Sequence, residues 1–224
     1  MKTLLAVLGV LLIMNVDAFE YTTSFARGKW VPADFIMVKG PRWEAFNQWE
    51  QMDDHIVQKV PFAVTDAQLQ GPMHADAYVA MCYGKKLKLK KKLVCSSVMS
   101  FDHRMAPLIV IAPVLGKHPS GVREFREHWE IVLYDQGLNV WKHMWKDGVP
   151  SWIKHSYLLA PYKKQTKYEL KVTVSATAKG QTLEVECDGR RFGCHLPGLG
   201  KEFYFGIIGC EGRNRFYDFK ISEK

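Results

Sequence analysis

What most constrains this 224-residue chain is a repeated local pattern, in which runs of β-branched and aromatic residues are closed off by turn residues. Val79 to Tyr83, Leu93 to Met105, Leu108 to Val114, Trp129 to Tyr134 and Leu138 to Trp145 read as strands. So do Tyr168 to Ala176, Thr182 to Cys187, Phe203 to Gly209 and Phe216 to Ile221. Gln136-Gly137, Asp147-Gly148, Lys179-Gly180, Asp188-Gly189 and Glu211-Gly212 are hairpin punctuation. Helical periodicity is scarce, and Arg42 to His55 is the best short helix candidate, or else a loop carrying binding residues. Many short strands with frequent turns argue for a sandwich or barrel.

The first residues read as an export signal. Lys2 precedes the apolar run Leu4 to Met14, and Val16-Asp17-Ala18 is a small-x-small cleavage pattern. We expect residues 1–18 to be a signal peptide and 19–224 a single domain, secreted or periplasmic. No second apolar stretch of membrane length follows, so no membrane association is expected after cleavage. A hydrophobic fraction of 47% allows a full core and excludes a disordered chain. The net charge of +8, in a secreted protein, favours anionic glycans or cell surfaces over nucleic acid. Much of that charge sits in Lys85 to Lys92, where lysines alternate with Leu87 and Leu89. This reads as a strand with a lysine-rich solvent face. The five cysteines permit disulfides in an oxidising compartment, with at least one thiol left over. Cys82 and Cys95 could bridge neighbouring strands, and a bridge involving Cys210 reads more naturally than Cys187 with Cys194. No C-x-x-C motif occurs.

Two stretches carry a resemblance. YELKVTVSATAKGQTLEVECDGRRFG, residues 168–193, resembles the late hairpin of concanavalin A-like domains. FYFGIIGCEGRNRFYDFKI, residues 203–221, is similar to their closing strands, where a Gly-rich strand precedes a final aromatic one. The resemblance implies an all-β, two-sheet antiparallel jelly-roll sandwich whose ligands lie on the concave sheet. The family holds lectins, glucanases and polysaccharide lyases, so fold leaves function open.

The densest polar segment is Arg123 to Glu130. Alternate strand residues share a face. Phe125, Trp129, Ile131 and Leu133 therefore form a core face, with Glu127 as the exception. Glu124, Arg126, His128, Glu130, Val132 and Tyr134 form the other. With Gln136-Gly137 as a two-residue loop, Tyr134 would oppose Asn139, Val132 Trp141, Glu130 His143, and His128 Trp145. The candidate site is thus Arg126, His128, Glu130, Tyr134, Asn139, Trp141, His143 and Trp145. Such groups suit a sugar: indoles pack on the pyranose face, while carboxylate, amide and guanidinium groups bond hydroxyls. Arg126 could pair with a uronate or sulfate. We expect a carbohydrate ligand, with Arg126, Asn139, Trp141 and Trp145 as the binding residues.

Catalysis is an open alternative. Glu124 and Glu130 lie about 20 Å apart along an extended strand, too far for a glycosidase pair within one strand. A carboxylate from another strand, such as Asp102, could still complete one. A lyase needs one base and a group to neutralise the uronate, and His128, Glu130, Tyr134 and His143 are the candidate catalytic groups. The R-E-F-R string at Arg123 to Arg126 is faintly similar to a strand of alginate lyases, without their companion motifs. A non-catalytic, protein-binding sandwich is the third reading. No cofactor or metal is expected. His128 and His143 could join a metal site only with a ligand from elsewhere.

Overall fold

The structure is a computed structural model that describes residues 18–43, 48–59, 78–103 and 106–224. Its strands, in chain order, begin with β1 (Glu20–Ser24), β2 (Phe35–Lys39), β3 (Trp49–Gln51), β4 (Ile56–Gln58), β5 (Val79–Tyr83) and β6 (Leu87–Lys88). There follow β7 (Lys92–Phe101), β8 (Pro107–Ala112), β9 (Leu115–Lys117), β10 (Arg123–Phe125), β11 (His128–Tyr134), β12 (Gly137–Lys146) and β13 (Val149–Leu159). The last are β14 (Tyr168–Thr177), β15 (Gly180–Cys187), β16 (Arg190–His195), β17 (Glu202–Gly209), β18 (Asn214–Phe216) and β19 (Asp218–Glu223). Among the described residues the only helical turn is a short 3-10 segment, Pro32–Asp34.

The strands make two sheets. One runs β16-β15-β14-β7-β18-β4-β3, with β19 also on β7 and β1 on β19. The other runs β13-β12-β11-β8-β17-β5-β2-β10-β9, with β6 on β17. Pairing is antiparallel except between β10 and β2. Alternation fills the space between the sheets: Trp129, Ile131, Leu133, Leu138 and Val140 meet Val172, Val174, Leu183 and Val185 in one core. In the lysine-rich segment Leu87 and Leu89 are buried, while Lys86, Lys88 and Lys90 face solvent.

Several local expectations need correction. The described parts of Arg42–His55 hold a turn and β3, not a helix. Residues 1–17 and 44–47, and the end of the expected strand at Arg104 and Met105, lie outside the described residues. All five cysteines are free thiols, and Cys82 and Cys95 sit in different sheets. Phe125 points away from the main core and joins a second apolar cluster with Cys82, Val110 and Ile208. The chain breaks between β10 and β11 at Arg126-Glu127, so the alternation does not carry through. The expected strand Phe216 to Ile221 is two strands, because a bulge intervenes. Phe216 faces Met99 but Lys220 faces Ser96, a one-residue shift. Asp218 Oδ1 accepts the Val98 N–H at 2.7 Å in place of a ladder partner.

The central hairpin is also displaced. Tyr134 pairs with Gly137, Val132 with Asn139, Glu130 with Trp141 and His128 with His143. The loop is therefore Asp135-Gln136, and the register differs by two residues from the one expected. A two-residue shift keeps every side chain on its face. Gly137 belongs to β12 for a steric reason: at φ +154, a Cβ there would lie 2.0 Å from the Leu158 carbonyl oxygen. Gly137→Ala is expected to destabilise the fold by about 1–3 kcal/mol, read from the denaturant midpoint. By contrast, Asp147-Gly148 and Asp188-Gly189 turn as expected, with positive φ at both residues.

Candidate functional site

The outer face of the ten-stranded sheet, turned away from the main core, carries the polar patch. Part of this face is closed. Val38, Tyr78, Ala80, Cys82, Leu108 and Phe125 build an apolar layer on it. Trp43 stacks on Tyr78 at 5.2 Å, and Lys39 Nζ donates to the Trp43 and Gly40 carbonyls, pinning the segment after β2. Beside this cover lies an open cleft of about 170 Å³. Its walls include Arg42, Glu130, Tyr134, Asn139, Trp141, His143, Trp152 and Glu211.

Register explains the grouping. On one face of β11, β12 and β13, Glu130 stands beside Trp141, Trp141 beside Lys154, and His143 beside Trp152. Asn139 stands beside Tyr157, with a bulge at Val140/Trp141. β13 was missed in the sequence because Pro150, Lys154, His155 and Ser156 dilute its β-branched content, and because an edge strand exposed on both faces lacks alternation. It nevertheless supplies the most exposed aromatics of the site, Trp152 at 45% and Tyr157 at 55%. Cations lie over these rings. The Arg42 guanidinium is 4.2 Å from the Trp152 ring, and Lys154 Nζ is 5.0 Å from Tyr157 and 5.8 Å from Trp141.

The expected residues divide into three sets. Glu130, Tyr134, Asn139, Trp141 and His143 line the cleft. His128 lies behind them, 1% exposed, between Phe125 at 4.7 Å and His143 at 4.6 Å. Arg126 and Trp145 are apart from the cleft walls. The Arg126 guanidinium covers the Trp145 ring at 4.9 Å and pairs with Glu124 at 3.3 Å. Arg42 lies in the segment read as a possible binding loop and does reach the cleft wall, whereas Trp152 and Lys154 were missed with the rest of β13. Asp102, the possible second carboxylate, is held by Arg215 and Arg213.

Electrostatics centre on Glu130, whose carboxylate meets His128 Nε2 at 3.2 Å and His143 Nε2 at 3.0 Å. Burial pushes its carboxyl pKa up, but the two imidazoles outweigh that and hold it far below the usual range. Burial pushes His128 down, despite its bond to Glu130. Cys210 also lines the cleft, yet burial raises its thiol well above the ordinary value, so it is no thiolate nucleophile at neutral pH. Asn139 Oδ1 is buried without a partner among the described residues.

The two-sheet architecture has solved counterparts. The carbohydrate-binding module CBM66 from Bacillus subtilis superposes with a TM-score of 0.52 at 12% identity, over 82% of this chain and 92% of that one. The Emp47p carbohydrate recognition domain gives 0.56 at 10% identity, over 91% and 95%. The fold is a concanavalin A-like jelly-roll sandwich. A legume lectin-like domain from Entamoeba histolytica matches at 0.55 and 12% identity, over 90% and 96%. No family model and no curated protein matches the sequence. At such identities the jelly-roll likeness is one of fold.

Proposed function

We propose that this chain is a secreted carbohydrate-binding protein that holds an acidic oligosaccharide in the cleft. The observation that carries the reading is the ring row of half-buried Trp141 with exposed Trp152 and Tyr157, flanked by Arg42 and Lys154 and backed by Asn139, Glu130 and His143. Aromatic faces take the apolar side of a pyranose, and the cations take a uronate or sulfate. The unpartnered Asn139 oxygen accepts a sugar hydroxyl. Its structural neighbours, a carbohydrate-binding module and a carbohydrate recognition domain, support the same ligand class. The +8 charge supports an anionic one.

The test is a glycan array followed by calorimetry on the strongest hit. Wild type is expected to bind uronate- or sulfate-bearing glycans, and Trp152→Ala to weaken binding about tenfold or more, as loss of one stacking ring implies. A flat array, or unchanged affinity in both Trp152→Ala and Trp141→Ala, overturns the reading. A lyase reading rests on Tyr134, His143 and Glu130 sharing one cleft, and new absorbance from unsaturated uronates during the same incubations would mark it.

A further inference from the structure

The His128–Glu130–His143 group has a property that glycan binding does not use. One ligand atom from each side chain lies within 4.8 Å of the other two. His128 Nδ1 is 2.8 Å from the Arg126 carbonyl oxygen, which can only accept. Nδ1 therefore points its hydrogen at that carbonyl, and Nε2 is turned toward Glu130 Oε1 at 3.2 Å. A carbonyl on the far nitrogen is how ligating imidazoles are commonly oriented.

We propose that His128, Glu130 and His143 bind one divalent transition-metal ion of the zinc class at the floor of the cleft. Mixed imidazole and carboxylate donors favour zinc or a neighbouring first-row ion over calcium and magnesium, which take oxygen ligands. Bonds of about 2.1 Å place the ligand atoms of a tetrahedral ion about 3.4 Å apart. The Glu130 oxygens stand 3.2 Å and 3.0 Å from the two Nε2 atoms. The imidazoles are 4.6 Å apart and 16° from parallel, so each turns about its ring bond for both lone pairs to converge. Phe125 closes the His128 side, whereas Glu130 and His143 line the cleft. The remaining position on the ion opens into the cleft, the arrangement in which three-ligand zinc sites hold water or substrate.

The test uses untagged full chain, stripped with chelator and titrated with ZnCl2 by calorimetry, with bound metal counted by mass spectrometry. One zinc per chain is expected, with CaCl2 giving no comparable heat, and affinity at least tenfold weaker in His143→Ala and in Glu130→Gln. Should those variants fold poorly, Co2+ added to wild type is expected to show the visible absorption of a nitrogen-ligated, low-coordinate site. No zinc uptake by folded wild type, or uptake unchanged in the folded variants, overturns the site. Glycan binding is assayed separately on stripped protein. Metal uptake without glycan binding keeps this site and removes the proposed function, and the reverse result does the opposite.

Discussion

Trp129→Ala is expected to lower the unfolding free energy by about 3–5 kcal/mol, the range for emptying a large aromatic site in a core. Trp129 is wholly buried, the largest such side chain among the described residues. It lies edge-on to His155 at 5.0 Å, with Lys142 Nζ 5.4 Å from the ring. Its neighbours along β11, His128 and Glu130, point to the opposite face. The cavity therefore forms directly behind the candidate site, and β11 loses the anchor that sets its depth. Trp129→Phe is expected to cost less. It keeps most of the apolar volume and removes an indole N–H that has no hydrogen-bond partner among the described residues. Urea unfolding of the three proteins measures this order, and equal losses for Phe and Ala would show that ring volume is not what Trp129 contributes.

Asp102→Asn is expected to cost about 3 kcal/mol at neutral pH, at the low end for breaking a buried ion pair. Asp102 follows β7, and its side chain is 9% exposed. Its carboxylate accepts two bonds from the Arg215 guanidinium, one of them at 2.7 Å, and lies 3.6 Å from Arg213. Those arginines flank Asn214, whose amide donates to the Cys210 carbonyl at 2.8 Å. The pair thus ties down the turn that delivers Cys210 and Glu211 to the cleft wall. Burial raises the Asp102 pKa, but Arg215 and Arg213 outweigh it and hold the carboxyl below the ordinary range. A depressed carboxylate contributes stability above its unfolded pKa, about 3.9, and that contribution is lost as pH falls through the lower folded value. The gap between wild type and Asp102→Asn should therefore close in acid. A gap that stays constant from pH 7 to well below 4 would rule out the ionised pair as its source.

Much of the fold was legible because strand chemistry is local. Val79–Tyr83 was bounded to the residue, and the Asp-Gly turns at 147–148 and 188–189 carried their own backbone geometry. The chain's face assignment for β11 and β12 also held, since alternation has a period of two and a two-residue register error leaves each side chain on its side. What alternation cannot report is which residue of one strand meets which of the next. The Gln136-Gly137 signal was misleading because Gly137 answers to the Leu158 carbonyl, a contact from a strand more than twenty positions away.

Hydrophobic patterning and turn residues by themselves determined an all-β sandwich or barrel with His128, Glu130, Tyr134, Asn139, Trp141 and His143 on one face. Only the tertiary structure decided which of these share an opening. Packing of the segment after β2 and the addition of edge strand β13 brought Arg42 and Trp152 to the cleft wall and Lys154 beside Trp141. The same packing drew Arg126 onto Trp145 and closed Phe125 over His128. The reason is physical: a strand's pattern records the two sides it presents, whereas a cleft is made by neighbours whose distance in sequence leaves no trace in that pattern.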